Sequence, residues 1–365
     1  MKSINILQKI FFLLICLGIF SCSNDPNETG GYAGGEKESY ISTSLGTLSL
    51  PTNLKCDMHI FWKSTGDTNY TFKQRIPLTG SQTKMKFMNN ELVNKDYRFL
   101  FVATSDSISE IKVTNLLNDT LTTSDKWDDV KISADSMLLS ADNYSGVLDK
   151  TGNDILNGGS IDGVLTRMVG QIVLDIFKID GSISTPADSL SSGIESVLDR
   201  VYKIDMEYTG ITKDVIFDSS NNIIDNSTWP GNHVQTLNLT INPSDLKVTV
   251  PQTTNGLEVS PIGGKGSVRM KGIYCLPSDE NMRMKFTFYY YDTTPTCGNS
   301  DGGIHTTNCY EKKTLVLNLP QDNPGATLLS VYPNYFTVNK AGIRLDRIID
   351  LEQPGSFELL TIWDN

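Results

Sequence analysis

The sequence contains no apolar run long enough for a transmembrane helix and no cluster of basic residues. The apolar run Ile10–Phe20 has eleven residues, whereas a helix needs about 20 apolar residues to cross a bilayer. The formal net charge is −11, and nucleic-acid binding requires a surplus of Lys and Arg on at least one face of a protein. We therefore expect neither a membrane-spanning segment nor a nucleic-acid partner.

Histidine is scarce, and the usual catalytic patterns are missing. His59 and His233 have no second His or Cys at metal-ligand spacing. His305 lies near Asp301 and Cys309, which permits a metal site, although a solvated loop histidine is the simpler interpretation. No G-x-S-x-G, H-E-x-x-H or P-loop pattern occurs. The sequence therefore predicts no metal, no cofactor and no enzymatic activity.

The N-terminus has the features of a secretory signal. Lysines precede the apolar run and the small residue Ser21 follows it, as in signals that a peptidase removes. Cys22 comes next, and a cysteine at a new N-terminus can carry a diacylglycerol thioether. The stretch Ile19–Cys22 resembles a bacterial lipobox, which implies a lipoprotein signal peptide over residues 1–21 and lipid, including palmitate, on Cys22. The alternative is a plain signal peptide in which Cys22 is a chance cysteine.

A polar segment separates this signal from the rest of the chain. Ser23–Ser39 is rich in Asn, Gly, Glu and Ser and has almost no apolar residues, so it cannot bury a core. We expect a flexible tether over residues 22–39, with the body held to the membrane by two or three acyl chains. Asp25 and Glu28 resemble the acidic export tags of surface lipoproteins in some Gram-negative bacteria, which implies an outer-membrane lipoprotein at the cell surface.

Alternation of apolar and polar residues dominates the remaining sequence. It is clearest in Asn281–Asp292, where Met and Phe alternate with Arg, Lys and Thr, as in half-buried strands. Within Gly163–Asp180 apolar residues occupy both faces, which indicates a central strand. Predicted strands lie at 56–62, 70–78, 97–103, 163–180, 236–241, 246–251, 281–292 and 313–319.

These patterns predict an all-β protein of two domains. Helical spacing is confined to Ser107–Leu117 and Asp188–Arg200. Many short strands separated by Gly, Asn and Pro indicate β-sandwiches, and no tandem repeat indicates a solenoid or a propeller. The best boundary is the Gly- and Asn-rich passage Leu148–Gly163. We therefore predict sandwiches at 40–158 and 159–365, in series.

Four cysteines follow Cys22, and an exported protein can pair them. Cys297 and Cys309 flank a turn-rich stretch between two strand-like runs. If those runs pair, a disulfide can close the loop and contribute about 3 kcal/mol. Cys56 and Cys275 lie in apolar strand-like sequence, where we expect free, buried thiols.

Several stretches together resemble the fimbrillin family of type V pili. They are the lipoprotein signal, LVNKDYRFLFVATS, LTRMVGQIVLDI, GIYCLPS and a closing strand that ends at Trp363. The resemblance implies two transthyretin-like Greek-key β-sandwich domains and a fimbrial subunit that polymerises at the cell surface by donor-strand exchange. It also implies other fimbrial subunits as partners, membrane contact through lipid and, for a tip adhesin, a host or bacterial surface receptor.

Tyr40–Leu50 is the candidate first strand of the first sandwich. Its removal would expose unpaired backbone groups beside apolar pockets, which a strand from another subunit could fill. We expect Leu45, Leu48 and Leu50 to occupy those pockets in the intact chain.

The resemblance implies that a protease specific for arginine or lysine removes this strand from stalk subunits. The first arginine after Cys22 is Arg75, which lies in a predicted strand, so only Lys37 and Lys55 could serve, and cutting at Lys37 would leave the strand in place.

Ser356–Trp363 is the candidate donor strand, with Phe357, Leu359, Thr361 and Trp363 at alternate positions. The sequence runs only two residues past Trp363, with no longer tail to serve as a donor. The stalk pattern requires a protease site after the first strand and a longer tail. Both departures from this pattern favour an accessory subunit, either an anchor or a tip adhesin.

Two other classes of function stay open at this point. A surface glycan-binding lipoprotein would use exposed aromatics such as Tyr289 and Tyr291 as a platform for sugars. A secreted hydrolase would need a catalytic constellation that the sequence does not display.

Overall fold

The computed structural model describes residues 35–45, 48–49, 53–78, 82–105, 111–135, 139–178, 201–225, 234–241, 252–254, 257–261, 268–294, 309–319, 329–343, 348–350 and 356–359. Regular structure in these ranges is almost entirely β-strand, which confirms the predicted all-β class. None of the helices described in them is long and apolar enough to cross a membrane. Cys22 with residues 23–34, and the predicted elements at 188–200 and 246–251, lie outside the described residues.

The strands, numbered along the described chain, are β1 (Glu36–Leu45), β2 (Leu48–Ser49), β3 (Leu54–Ser64), β4 (Thr71–Leu78), β5 (Gln82–Met88), β6 (Lys95–Ser105), β7 (Ile111–Asn115), β8 (Val130–Ala134), β9 (Asn143–Thr151), β10 (Ile161–Val164), β11 (Thr166–Arg167), β12 (Gly170–Lys178), β13 (Val201–Thr212), β14 (Asp214–Phe217), β15 (Ile223–Asp225), β16 (Val234–Ile241), β17 (Gln252–Thr254), β18 (Leu257–Pro261), β19 (Val268–Cys275), β20 (Ser278–Thr294), β21 (Cys309–Leu319), β22 (Leu329–Val331), β23 (Tyr335–Ile343), β24 (Ile348–Asp350) and β25 (Ser356–Leu359). Two short α-helices are α1 (Asn89–Leu92) and α2 (Gly152–Leu156).

A five-stranded sheet, the inner sheet, forms the centre of the first half, with strand order β11-β9-β6-β3-β4. Its middle strands β3 and β6 pair antiparallel over their whole length. Both carry apolar side chains on both faces, as in β6, where Phe99 and Phe101 enter one core and Leu100 and Val102 enter another. Because both faces are apolar, the inner sheet must be covered on both sides. The strands predicted at 56–62, 70–78 and 97–103 are confirmed here.

The first of these two cores lies between the inner sheet and a four-stranded outer sheet. The outer sheet contains β10, β1 and β2 in that order, with β5 also paired to β1. Ile41, Phe87 and Ile161 of the outer sheet share this core with Met58 and Phe99 of the inner sheet. The first half is therefore a face-to-face β-sandwich.

A third sheet, the linking sheet, covers the opposite face of the inner sheet. Its order is β15-β14-β8-β7, so it combines strands from before residue 135 with strands from after residue 213. The predicted helical spacing at Ser107–Leu117 is wrong in its described part, because Ile111–Asn115 is strand β7. Ile111 enters the second core while Lys112 is exposed, so packing against the inner sheet decides the conformation.

Two further sheets are built by the second half. One has the order β17-β18-β19-β12-β23-β24, with β25 also on β23, and the other has the order β16-β13-β20-β21, with β22 also on β20. Strand β12 lies between antiparallel β19 and parallel β23, which confirms the predicted central strand for that part of 163–180. In β20 the predicted alternation is confirmed, since Phe286 and Phe288 are buried while Arg283 and Lys285 are exposed.

The chain changes sheet partners just beyond the predicted boundary. Strands β10 and β11, which follow residue 159, pair with β1 and β9 of the first half. The next strand, β12, pairs with β19 and β23 of the second half. The division into two domains stays a prediction, and the linking sheet ties strands of both halves together.

Candidate functional site

Strand β1 contains Tyr40–Leu45 of the candidate first strand and is an internal strand of the outer sheet. It begins at Glu36, so the predicted tether over residues 22–39 is wrong for Glu36–Ser39, which pair with β5. Glu36–Ser42 pairs antiparallel with β5, and Ile41–Ser44 pairs parallel with β10. The end of β1 folds back on β2, where Leu45 pairs with Leu48. The first strand is therefore held by backbone hydrogen bonds on two sides.

The inward face of β1 fills part of the first core. Ser39, Ile41 and Thr43 are buried, and Ile41 is only 1% exposed. The Ser39 hydroxyl donates to the Gly159 carbonyl over 3.0 Å, whereas the buried Thr43 hydroxyl has no hydrogen-bond partner within the described structure. The side chains of Leu45, Leu48 and Leu50, which were predicted to fill the pockets, lie outside the description, so that prediction stays open.

The outward face of β1 carries exposed cross-strand pairs with β5. Lys86 Nζ lies 2.8 Å from Glu36 Oε2, and Lys84 Nζ lies 3.6 Å from Glu38 Oε2. The Lys84 ammonium also lies 5.2 Å from the centre of the Tyr40 ring. Exposed pairs of this kind contribute about 0–1 kcal/mol each, so they set the register of β1 more than its stability.

Polar contacts join β1 to β10 at the other edge. The hydroxyls of Ser160 and, to a smaller extent, Ser42 donate to the Asp162 carboxylate and hold its pKa below the usual value. The Leu165 backbone N–H donates to the Ser44 carbonyl over 2.8 Å. At Gly163, a Cβ would lie 2.7 Å from the Phe101 ring, so only glycine lets β10 approach the inner sheet this closely.

Removal of β1 would open a groove between β5 and β10. The N–H and C=O groups that β1 pairs on those strands would lose their partners, and Phe87 and Ile161 would lose the covering Ile41 side chain. An unpaired strand edge beside apolar pockets is the arrangement that accepts an incoming strand. The groove is therefore available only when β1 is absent.

The candidate protease residues lie in paired strands. Lys37 is in β1 opposite Phe87, and Lys55 is in β3 opposite Thr104. Arg75 lies within β4, as predicted, and its guanidinium pairs with the Asp57 carboxylate. Since a protease must bind its substrate as an unpaired extended segment, neither lysine is presented for cleavage in the folded protein.

The candidate donor strand begins in its own sheet. Ser356–Leu359 is β25 and pairs antiparallel with Tyr335–Val338 of β23. Phe357 and Leu359 belong to this pairing, while Thr361 and Trp363 lie outside the described residues. Donation to another subunit would therefore require these residues to leave β23.

The cysteines divide into two groups. Strands β20 and β21 form the hairpin that the disulfide prediction requires, with Thr294 opposite Cys309, while Cys297 lies outside the described residues. Cys56 and Cys275 are free and buried, as expected. Burial raises the pKa of both thiols to about 12, so neither is a thiolate at neutral pH.

The described histidine, His59, is also a core residue. It is 6% exposed, and burial lowers its pKa to about 4. No group of three His, Cys, Asp or Glu side chains that could hold a metal occurs within the described ranges. His233 and His305 lie outside those ranges.

Of the two tyrosines proposed as a sugar platform, Tyr289 is half-buried and the Lys203 ammonium lies 4.9 Å from the centre of its ring. The side chain of Tyr291 is outside the description.

The sequence patterns did not predict a different aromatic site, a cleft of about 560 Å³ beside Trp62. Its residues come from separate elements, and no local pattern in the sequence brings them together.

Several solved structures are similar to this chain at low sequence identity, and one family model matches its sequence. Similar solved structures include a candidate adhesin from Bacteroides ovatus, with 10% identity, a TM-score of 0.42, and coverage of 90% of this chain and 96% of that one. A second candidate adhesin, from Bacteroides thetaiotaomicron, has 9% identity, a TM-score of 0.42 and coverage of 84% and 92%. The fimbrial anchor protein Mfa2 from Porphyromonas gingivalis has 7% identity, a TM-score of 0.39 and coverage of 88% and 99%.

Sequence comparison identifies a family for this chain. No curated protein matches the chain. A family model matches residues 10–364, which is nearly the whole sequence. The chain therefore belongs to the family described as a domain of unknown function, DUF5031.

Proposed function

We propose that this protein is a surface-exposed lipoprotein that serves as an accessory subunit of a fimbrium, as its anchor or its tip adhesin. In this proposal lipid on Cys22 tethers it to the outer membrane, and other fimbrial subunits join it by donor-strand exchange. The sequence features that support it are the lipobox-like Ile19–Cys22, the polar tether that follows, and the resemblance to fimbrillins.

The position of β1 is the observation that carries this proposal. A sandwich whose first strand is shared by β5 and β10 has a groove built around that one strand. Fully burying a side chain such as Ile41 contributes about 1.5–3 kcal/mol, and the paired backbone groups add to this. A subunit that keeps β1 is therefore complete by itself, and one that loses β1 needs a replacement strand.

The pairing of β1 and β3 supports the accessory role in this proposal. Lys37 and Lys55 both lie in paired strands, so trimming of the folded protein is disfavoured. A subunit that keeps its first strand does not accept a donor strand there, which suits the end of a fibre better than its stalk. It can still contribute a strand of its own, and Ser356–Trp363 is the segment we assign to that role.

Deletion of the first strand tests whether the groove that β1 fills can accept a donor strand. A variant lacking residues 22–53 should form oligomers or bind a peptide that copies Ser356–Trp363, whereas the intact protein should stay monomeric and ignore the peptide. Light scattering and peptide titration measure the two properties. The matched control lacks only residues 23–34 and should behave as the intact protein does. If the long deletion folds, stays monomeric and binds no peptide, strand exchange through this groove is wrong.

A surface glycan-binding lipoprotein is the second candidate function. The observation that favours it is the cleft beside Trp62, which does not involve β1. This candidate needs neither strand removal nor a fimbrial partner, so the deletion experiment does not bear on it.

A further inference from the structure

The cleft beside Trp62 lies where the β3–β4 hairpin ends against α1. It encloses about 560 Å³, which is within the range of small-molecule sites. Trp62 forms part of its wall, and its indole packs against the first core. The cleft is therefore built on a fixed aromatic side chain.

Two lysines that line the cleft have no carboxylate partner among the described residues. Lys95 Nζ lies 4.0 Å from the centre of the Trp62 ring and donates to Ser64 Oγ over 2.8 Å. Lys63 Nζ lies 4.7 Å from the centre of the Tyr70 ring. An ammonium group has three donors, so Lys95 keeps donors for a ligand. In a chain with a net charge of −11, unpaired cations in a cleft indicate an anionic ligand group.

Other polar groups around the cleft require a ligand that also donates hydrogen bonds. Asp67, Asn69 and Asn90 line it, are exposed, and have no side-chain hydrogen bond to the rest of the described chain. An ionised carboxylate such as that of Asp67 only accepts hydrogen bonds. Lys73 and Glu91 are already paired with each other at 2.9 Å, so they form a fixed polar wall.

We propose that this cleft binds a sugar that carries a carboxylate, such as a hexuronate or a sialic acid unit of a surface glycan. The sugar carboxylate meets the Lys95 ammonium, and its hydroxyls donate to Asp67 and exchange hydrogen bonds with Asn69 and Asn90. Inorganic phosphate or sulfate supplies too few donors for these acceptors, and a neutral sugar leaves Lys95 without an anion. The inference rests on the second candidate function, a glycan-binding surface protein, and does not depend on strand exchange.

Titration of the purified protein with small probes tests the assignment. Isothermal calorimetry compares D-glucuronate and N-acetylneuraminate with D-glucose, acetate and a short peptide rich in Asp and Glu. At least one acidic sugar should bind. Glucose and acetate should each bind about tenfold more weakly or not at all, because glucose has no carboxylate and acetate has no hydroxyl groups. Equal binding of glucose, stronger binding of the peptide, or no binding of either acidic sugar would overturn the proposal.

Three variants locate the binding. Lys95→Met keeps the apolar stem and should weaken binding of the acidic sugar about tenfold or more. Asp67→Asn should also weaken binding of the acidic sugar, but this variant should still bind the acidic sugar more tightly than glucose. Lys84→Met is the matched control, because Lys84 also lies over an aromatic ring but does not line this cleft. Equal melting temperatures show that the variants fold. Unchanged affinity in Lys95→Met would contradict the assignment.

Discussion

At the scale of single residues, His59 makes stability depend on pH. Its pKa falls from an ordinary value of 6.5 to about 4, chiefly because burial disfavours the charged form, with a smaller opposite effect of Asp57 and a small further lowering by Arg75. Between these two values the unfolded chain binds a proton that the folded protein does not bind. Stability should therefore fall as the pH drops from 6.5 towards 4.

The variant His59→Leu should lose less stability than the wild type across this window. Urea unfolding midpoints at a series of pH values measure the stability of the two proteins. The carboxylates affect both proteins equally, so the difference between the two pH profiles reports His59. Parallel pH profiles would show that His59 does not stay neutral in the fold.

The ion pair of Lys131 and Asp214 is the second residue-scale feature. It joins β8 to β14, and thus the two halves, with Nζ 3.4 Å from Oδ2 and with side chains that are only 13% and 10% exposed. Lys131→Met leaves a buried carboxylate without its cation and should destabilise the protein by about 3 kcal/mol. Replacing both residues by apolar ones should recover most of that loss.

Lys112 and Asp135 provide the control for this pair. Their side chains are 54% and 41% exposed, so Lys112→Met should change the free energy of unfolding by less than about 1 kcal/mol. Denaturant unfolding measures all the variants. A loss in Lys131→Met no larger than that in Lys112→Met would contradict the role given to the buried pair.

At the scale of elements, β1 is the strand on which the proposed function rests. Ile41 on its inward face is 1% exposed and Tyr40 on its outward face is 52% exposed. Ile41→Ala should cost about 2–5 kcal/mol, whereas Tyr40→Ala should cost less than about 1 kcal/mol. Denaturant unfolding measures both. Similar costs for the two substitutions would mean that β1 does not close the core.

The strands that could be predicted are those whose burial follows a local pattern. β20 alternates along its length, and β3 and β6 are apolar runs bounded by turn residues, so local sequence sufficed for all three. β7 was missed because the spacing of its few apolar residues also fits a helix, and the inner sheet that selects the strand is distant in sequence. The short β10 carries only Ile161 and Val164 as apolar residues, and its parallel pairing with β1 spans 120 residues, as between Ile41 and Ile161.

The candidate sites were predictable to different degrees. The first strand could be placed only in part, because β1 begins at Glu36, within the segment predicted as a tether. Its inward residues in the described part are Ser39, Ile41 and Thr43. The cleft beside Trp62 could not be placed, because Lys95, Asn90 and Asp67 meet only after the β3–β4 hairpin, α1 and β6 have packed. A site of this kind, which is formed by tertiary contacts, is not marked by a characteristic spacing of residues in the sequence.

At the scale of the whole molecule, the linking sheet joins the two halves. Ile132 of β8 pairs with Val215 of β14, and the Trp127 and Phe217 rings lie 4.9 Å apart beside them. Because these contacts bridge the halves, we expect the two halves to unfold together. In the proposal, Cys22 carries the lipid tether and Ser356–Trp363 is the strand that can be donated.

The tether has its own test. Cys22→Ala should release the protein from the membrane or leave its signal peptide in place, because the thiol that carries the lipid is gone. Metabolic labelling with an acyl probe, followed by membrane fractionation, measures both outcomes. An acyl label that persists in the variant would place the lipid elsewhere.

The central claim is that this is a surface-tethered accessory subunit that keeps its first strand. Mass spectrometry of the N-terminal peptide of the protein recovered from outer-membrane fractions tests this claim most directly. The account predicts a peptide that begins at an acylated Cys22 and continues without a break through β1. A mature N-terminus at Cys56, immediately after Lys55, would show that the strand is removed and would contradict the account.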